Sequence, residues 1–163
     1  MYLVVGAKGF LGSYLIKNIL SMTKEEIRHL SICKLKLVEN SVVFDIGCGT
    51  GSISIEAAAM SPDIKVYAIE TNPDAVNLTK QNCKKQNLAN VKVIENLAPS
   101  GFDNLPVPTN VFIGGSKGNL MEIIQSLADK KSRMRIVINA VSLETIAEVS
   151  DIADDFNISD FEA

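Results

Sequence analysis

The sequence has no tryptophan, one histidine and three cysteines among its 163 residues. These absences bear first on metal sites. Cys33, Cys48 and Cys83 are odd in number and lack metal-type spacing, and His29 is the one histidine that could join them. A structural zinc site needs four ligands at suitable spacing, so we expect no metal. Reduced thiols are typical of a cytoplasmic protein, in which disulfides rarely persist.

Long apolar runs and concentrated positive charge are also missing. No run approaches the roughly 20 residues that cross a membrane. The first residues lack a basic segment and contain glycines, which argues against a secretory signal. The formal net charge is −3 with basic residues scattered among acidic ones, whereas nucleic-acid binding needs a concentrated basic face. We therefore expect a cytoplasmic protein that binds neither membrane nor nucleic acid.

What the sequence does contain is an alternation of short β-branched runs and helical stretches, within a length typical of one domain, 1–163. The strand candidates are YLVV, VVFDI, IKVYAIE, VKVIEN, NVFIGG and RIVINAV. Helices are predicted at 10–20, 23–36, 52–60, 73–87, 117–130 and 142–155. This alternation predicts an α/β fold, a Rossmann-like, doubly wound and mostly parallel sheet. Ligands of such sheets bind beyond the carboxyl ends of the strands.

A glycine-rich loop lies between the second strand candidate and the helix after it. Asp45 begins the sequence DIGCGTG, in which Gly47, Gly49 and Gly51 permit a tight turn and close approach of a ligand. The helix N-terminus that follows offers free N–H groups to a negative ligand group. Glu70 ends the next strand, nineteen residues after Gly51, where a carboxylate can accept hydrogen bonds from both hydroxyls of a ribose. The combination predicts a site for a nucleoside cofactor.

Five stretches of the chain resemble known proteins: MTKEEIRHL (22–30), DIGCGTGSISIEAA (45–58), VYAIETNPDAV (66–76), VFIGGSKGNLMEI (111–123) and NAVSLET (139–145). The glycine loop and Glu70 resemble the first motif and the acidic residue of class I S-adenosylmethionine-dependent methyltransferases. The five stretches together, over residues 22–162, resemble the precorrin (or cobalt-precorrin) methyltransferases of cobalamin biosynthesis. That family methylates C-15 and removes the acetate carboxylate of ring C, and in longer relatives the domain is fused to a C-5 methyltransferase.

The resemblance implies a cofactor, a substrate and the residues that bind them. S-adenosylmethionine would be the methyl donor, and a carboxylate-bearing corrin of the precorrin-6B type would be the substrate. The implied cofactor-binding residues are Thr23, Gly47, Cys48, Gly49, Thr50, Gly51, Glu70 and Ala98. The implied substrate-binding residues are Gly114, Gly115, Ser116 and Gly118, in an anion-receptive turn at a helix start, and Asn139 at a strand end. No side chain stands out as a catalytic base. Family members often assemble as tetramers, so a homo-oligomer is one expectation.

The sequence departs from the family in two places. Relatives have G-D-A-P where this chain has NLAP at 96–99, so Leu97 replaces an acid that could face the adenine amine. Weaker cofactor binding is expected from that change. The chain also ends at DFNISDFEA, before the antiparallel hairpin with which class I methyltransferases complete the sheet. We therefore expect a C-terminally truncated domain at 22–163, with an exposed sheet edge and an incomplete substrate pocket.

A second glycine pattern lies at the start of the chain. GAKGFLG at 6–12 follows YLVV and resembles the opening of extended short-chain dehydrogenases and NAD-dependent epimerases, over residues 1–20 alone. Those enzymes use a tyrosine with a lysine four positions on, and none of Tyr2, Tyr14 and Tyr67 has one. Residues 1–21 are therefore expected to be a foreign, chimera-like strand–turn–helix segment, which could supply the edge strand that the chain's end lacks.

Three functions stay open from the sequence. The first is S-adenosylmethionine-dependent methylation of C-15 with decarboxylation. The second is a catalytically silent, truncated or chimeric domain that retains the fold, and the sequence does not separate it from the first. The third is a nicotinamide-binding fragment, which the absence of a tyrosine–lysine pair disfavours.

Overall fold

The computed structural model describes residues 2–7, 24–130, 133–140, 143–155 and 160–162. Its strands are β1 (Tyr2–Ala7), β2 (Val42–Ile46), β3 (Lys65–Glu70), β4 (Val91–Glu95), β5 (Asn110–Ile113), β6 (Arg135–Ala140) and β7 (Asp160–Glu162). Its helices are α1 (Lys24–Leu35), α2 (Ser52–Met60), α3 (Pro73–Lys85), α4 (Leu120–Asp129) and α5 (Leu143–Asp155), with a 3-10 turn at Ser100–Phe102. The six predicted strands and five of the six predicted helices are confirmed, and the helix predicted at 10–20 lies outside the described residues.

The strands form one sheet in the order β4–β3–β2–β5–β6–β1–β7. Every strand pairing in the described part of the chain is parallel, as predicted for the α/β fold. Successive side chains of a strand point to opposite faces of the sheet, so each apolar run contributes residues to two hydrophobic cores, one on each face. Val43 and Phe112 pack with α1 and α2, whereas Phe44 and Ile113 pack with α4 and α5. Helices therefore cover both faces of the sheet, which is why its strands are apolar throughout.

The strand order reverses between β2 and β5. From β2 the chain adds β3 and β4 on one side, and it returns with β5 and β6 on the other. The loops that follow β2 and β5 therefore lead in opposite directions. They leave a crevice at the carboxyl ends of these strands, which is where open α/β sheets bind ligands.

β1 lies inside the sheet beside β6. Tyr2 is paired with Arg135 at the start of this parallel ladder, and the other side of β1 pairs with β7. The first segment therefore supplies a strand beside β6, as expected for the strand that the chain's end lacks. It differs from the expectation in one respect: β1 is one place in from the edge, because β7 pairs with its other side. Gly6 also lies within the strand, opposite Asn139, and not in the turn of a glycine loop.

The start of α4 differs from the prediction. The helix begins at Leu120 and not at residue 117, because Lys117 and Gly118 have φ angles of 53° and 83°, which an α-helix does not contain. α3 begins as predicted, with proline in the first turn and the Asn72 side chain accepting the Asp74 N–H at 2.9 Å. Within the described residues, no helix combines the length and apolar character that a membrane span requires.

Candidate active site

A cleft of about 140 Å³ opens at the carboxyl ends of β2, β3, β4 and β5. The loops after these four strands form its walls, together with Ile123 of α4. Its lining residues are Ile46, Gly47, Ile69, Glu70, Thr71, Asn96, Leu97, Ala98, Gly115, Ser116, Lys117 and Ile123. The cleft therefore lies where the strand order reverses, as the topology predicts for a ligand site.

The glycine loop after β2 depends on left-handed backbone. Gly47, Gly49 and Gly51 have φ angles of 70°, 56° and 81°, a region that residues with a Cβ adopt only at a cost. The N–H groups of Gly47 and Cys48 donate to the Ile69 carbonyl at 2.9 and 3.2 Å, and that of Gly51 donates to the Cys48 carbonyl at 2.9 Å. These loop N–H groups are therefore not free for a ligand, whereas the predicted free N–H groups were those at the start of α2, which begins at Ser52. The loop N–H groups hold the loop in shape.

Glu70, at the end of β3, is the one acidic residue that lines the cleft, and it is 9% exposed. Its Oε2 accepts the Gly49 N–H at 3.0 Å, and its Oε1 accepts the N–H groups of Thr71 and Asn72 at 2.8 and 2.9 Å. Burial alone would raise the pKa of Glu70, but these hydrogen bonds outweigh it and lower the pKa below its usual 4.5. Glu70 is therefore ionised at neutral pH and only accepts hydrogen bonds.

Two side chains of helix α3 donate hydrogen bonds to backbone carbonyls of the glycine loop. The Thr79 hydroxyl donates to the Gly49 carbonyl at 2.8 Å, and the Asn82 amide donates to the Thr50 carbonyl at 3.1 Å. Thr79 is fully buried, and a Cβ on Gly51 would lie 2.5 Å from its Cγ2. Gly51 is therefore required by this contact as well as by its φ angle.

Two more ionisable groups lie next to the glycine loop. Burial raises the pKa of Asp45 to about 6, although the Ser54 hydroxyl donates to its Oδ2 at 2.5 Å. Burial and then the nearby charge of Asp45 raise the pKa of Cys48 to about 12, so its thiol is protonated and is not a nucleophile. In the described part of the chain, no group of three histidine, cysteine or acidic side chains is arranged to hold a metal ion.

The loops after β2 and β5 touch through their backbones. A Cβ on Gly47 would lie 2.6 Å from the carbonyl oxygen of Gly115, which is backbone and cannot turn aside. The Gly114 N–H donates to the Ile46 carbonyl at 2.9 Å, which continues the β2–β5 pairing into the loops. One wall of the cleft is thereby built from glycine against glycine, and a side chain at Gly47 would separate the two loops.

The structure brings part of the predicted site together. Five of the predicted residues line the cleft: Gly47, Glu70, Ala98, Gly115 and Ser116. Four belong to the glycine loop or the start of α2 behind it and are not among the lining residues: Cys48, Gly49, Thr50 and Gly51. Gly114 and Gly118 flank the lining residues of the β5 loop. Asn139 is half-buried on β6, one strand beyond β5, and is not placed in the cleft. Thr23 lies outside the described residues.

Three polar lining residues, Thr71, Asn96 and Lys117, were not among the predicted site residues. Thr71 and Asn96 directly follow β3 and β4, so the rule that ligands bind beyond strand ends would have found them. Lys117 lies in the GGSKG turn, and its ammonium group donates to the Thr71 hydroxyl across the cleft. Leu97 lines the cleft with 43% of its surface exposed, at the position where an acid was expected.

The parallel sheet, the glycine loop after β2 and the acid at the end of β3 define a class I methyltransferase fold. The structure matches that of precorrin-6y C5,15-methyltransferase from Geobacter metallireducens with a TM-score of 0.76 and 40% identity, covering 82% of this chain and 72% of that one. It also matches precorrin 8w decarboxylase from Methanobacterium thermoautotrophicum with a TM-score of 0.76 and 34% identity, covering 84% of this chain and 74% of that one.

The chain belongs to the precorrin methyltransferase domain family, whose model matches residues 17–157. The family predicted from residues 22–162 is therefore confirmed. Among curated relatives, the "probable cobalt-precorrin-6B C(15)-methyltransferase (decarboxylating)" of Sulfurisphaera tokodaii is 46% identical over 129 residues. The match covers 77% of this chain and 66% of that relative, so the chain spans about two thirds of the relative's length.

Proposed function

We propose that this chain is an S-adenosylmethionine-dependent methyltransferase that methylates C-15 of a precorrin-6B-type corrin and removes the ring C acetate carboxylate as carbon dioxide. Its family membership supports this activity, since the Sulfurisphaera tokodaii relative is named for the reaction on cobalt-precorrin-6B. One observation in the structure carries the proposal. Glu70 is held ionised in the wall of a cleft whose other walls include the glycine loop.

The cleft fits a nucleoside cofactor in three respects. Oε2 of Glu70 accepts one hydrogen bond from the protein and retains a lone pair for a ribose hydroxyl. A Cβ on Gly49 would meet nothing within 4 Å, so a ligand can approach the backbone there. Ile69, Leu97 and Ala98 provide an apolar wall suited to a purine ring. Leu97 accepts no hydrogen bond from an adenine amine, so affinity depends chiefly on the ribose contact.

The residues of the cleft contribute binding and orientation to the reaction. S-adenosylmethionine, when bound, supplies a methyl group that moves to a corrin carbon while the electrons of its bond to sulfur stay on sulfur. Glu70 would orient the ribose end, and the β5 loop, which brings Gly115, Ser116 and Lys117 into the cleft wall, would face the carboxylate-bearing substrate. Glu70 is a weak base because its hydrogen bonds stabilise the carboxylate. The cleft therefore acts through proximity, which is worth several kcal/mol when reacting atoms are well aligned.

The proposal is tested by calorimetric titration with S-adenosylhomocysteine, and separately with NADH, of the wild type, Glu70→Ala and Glu95→Ala. Glu95 is the matched control because it also ends a strand, directly opposite Glu70 in the β3–β4 pairing, but is exposed and does not line the cleft. We expect S-adenosylhomocysteine to bind the wild type and Glu95→Ala equally. Binding to Glu70→Ala should be about 100-fold weaker, since hydrogen bonds to a charged acceptor are lost.

Each other outcome has a separate meaning. Absence of S-adenosylhomocysteine binding to a folded wild type would contradict the proposal and favour a catalytically silent domain. Binding of NADH alone would favour the nicotinamide-binding alternative. If the cofactor analogue binds, incubation with S-adenosylmethionine and cobalt-precorrin-6B should give a product that has gained a methyl group and lost carbon dioxide, as read by mass spectrometry.

We also propose that the protein acts in the cytoplasm as a homo-oligomer. The resemblance to the precorrin methyltransferases supports the assembly, since members of that family often form tetramers, and the three free cysteines support the compartment. Light scattering during size-exclusion chromatography measures the assembly directly, and a monomeric mass across the concentration range of the enzyme assay would contradict it.

A further inference from the structure

Lys117 is a lysine at a backbone position that suits glycine. It lies in the turn after β5 with a φ of 53°, directly before Gly118 with a φ of 83°. Residues with a Cβ seldom adopt this left-handed conformation, and asparagine and aspartate are the usual exceptions besides glycine. The backbone of the turn therefore does not favour a lysine.

The Lys117 side chain crosses the mouth of the cleft. Its ammonium group donates a hydrogen bond to the Thr71 hydroxyl, which links the loop after β5 to the loop after β3 over the end of β2. Lys117 and Thr71 both line the cleft, together with Glu70, the neighbour of Thr71 in the chain. Because Lys117 is also exposed, its charge lies at the boundary between the cleft and solvent.

The ammonium group of Lys117 is available to an anion. It is the one positive charge among the residues that line the cleft, and no carboxylate of the described residues forms an ion pair with it. The Glu70 carboxylate accepts the N–H groups of Gly49, Thr71 and Asn72 and forms no ion pair with Lys117. An ammonium group donates three hydrogen bonds, and the acceptor that Lys117 has here is a neutral hydroxyl.

We propose that Lys117 binds a carboxylate substituent of the corrin substrate and so determines specificity for an acidic substrate. The ammonium group exchanges the Thr71 hydroxyl for the carboxylate, because a carboxylate brings a full negative charge as well as an acceptor, whereas the hydroxyl is an uncharged acceptor. That exchange also withdraws the side chain from the mouth of the cleft. Lys117 binds and positions, and it makes or breaks no bond. The inference rests on the proposed function, which supplies the substrate.

Three variants separate the charge of Lys117 from the shape of its turn. Lys117→Gly is the informative one, because glycine suits a φ of 53° better than lysine does and the turn should fold without the ammonium group. Lys117→Arg retains a cation. Lys84→Ala, on the exposed surface of α3 and outside the cleft, is the matched control for loss of a lysine. Steady-state methylation of cobalt-precorrin-6B gives KM and kcat for each, and calorimetry gives the Kd of S-adenosylhomocysteine.

The KM for the corrin should rise about tenfold in Lys117→Gly, because a hydrogen bond between charged groups is lost. Its kcat and its Kd for S-adenosylhomocysteine should match those of the wild type. Lys117→Arg and Lys84→Ala should retain the wild-type KM. Added salt should raise the KM of the wild type and leave that of Lys117→Gly nearly unchanged, since salt screens an exposed charge pair. A merely structural role would not produce this difference in salt dependence.

Two results would overturn the inference alone. The first is a wild-type KM and salt dependence in Lys117→Gly. The second is a loss of S-adenosylhomocysteine affinity in Lys117→Gly, which would assign Lys117 to the cofactor. If the wild type itself neither binds S-adenosylhomocysteine nor methylates the corrin, the proposed function fails, and the inference fails with it. Turnover by the wild type thus distinguishes the two failures.

Discussion

Gly51→Ala is the substitution for which the structure predicts the clearest cost to stability. A methyl group at this position would lie 2.5 Å from Thr79 Cγ2 and 3.0 Å from Thr79 Oγ1. Thr79 is fully buried on α3 and its hydroxyl donates to the Gly49 carbonyl, so it has little room to turn away. The backbone is unfavourable as well, because Gly51 has a φ of 81°.

The magnitude follows from these two effects. A left-handed conformation costs a residue with a Cβ roughly 1–2 kcal/mol, and an alanine recovers about 0.4–1 kcal/mol by restricting the unfolded chain. Overpacking a buried contact adds about 1–3 kcal/mol. Gly51→Ala should therefore lower the free energy of unfolding by about 2–4 kcal/mol. Gly49→Ala is the matched control, since Gly49 has a φ of 56° but a Cβ there meets nothing within 4 Å. It should cost about 1 kcal/mol.

Urea unfolding of the wild type, both glycine variants, Thr79→Ser and the Gly51→Ala/Thr79→Ser double variant measures these quantities. Thr79→Ser removes the Cγ2 that lies 2.5 Å from the new methyl group and keeps the hydroxyl. The double variant should therefore be at least about 1 kcal/mol more stable than the sum of the single effects indicates. The reasoning is refuted if Gly51→Ala costs no more than Gly49→Ala, or if the two changes are additive.

Two further predictions concern a buried carboxyl group and a half-buried amide. Asp45 has a pKa raised by burial to about 6 from an ordinary 3.8, so its contribution to stability is complete below the ordinary value and is lost as pH rises through about 6. The loss amounts to about 3 kcal/mol. Asp45→Asn should remove that decline in urea unfolding followed from about pH 3 to 7, roughly one unit on either side of the window, and an unchanged slope would contradict the raised pKa. Asn90 lies with its amide nitrogen 2.9, 3.1 and 2.9 Å from the carbonyl oxygens of Ala58, Ser61 and Ile64. Asn90→Ala should cost about 2–3 kcal/mol by removing the amide donor from these carbonyls, of which that of Ser61 keeps the Ile64 N–H. Asn90→Asp should cost more, because it places a negative charge against the same carbonyl oxygens; equal stability of the two variants would count against this explanation.

The parallel sheet could be predicted from sequence because each strand has its own continuous run of apolar residues. VVFDI is apolar on both sides, and the structure sends Val43 to one core and Phe44 to the other. The same holds for Phe112 and Ile113 of β5. Continuous apolar runs of this length, separated by capped helices, fold in few ways other than as a parallel sheet that helices cover on both faces.

The contacts across the cleft could not be predicted, because they depend on which strands are neighbours. Lys117 meets Thr71 from a loop 46 positions away in the chain, and that meeting requires β2 to lie between β3 and β5. The N–H groups of Gly47 and Cys48 donate to the Ile69 carbonyl of the neighbouring strand. No local sequence pattern predicts these two hydrogen bonds. Sequence motifs identified the residues of the loop correctly, but the direction of their hydrogen bonds is a tertiary property.

The position of β1 also determines when the sheet can be completed during synthesis. Tyr2 pairs with Arg135, so about 130 residues are made after β1 before its partner strand exists. At the usual rate of elongation β1 waits on the order of ten seconds without a ladder on either side. An apolar strand in that condition is a binding site for a chaperone or for another unfinished chain. Pairings this distant also slow refolding of the finished protein. β1 thus leaves the ribosome long before the strand that completes its ladder.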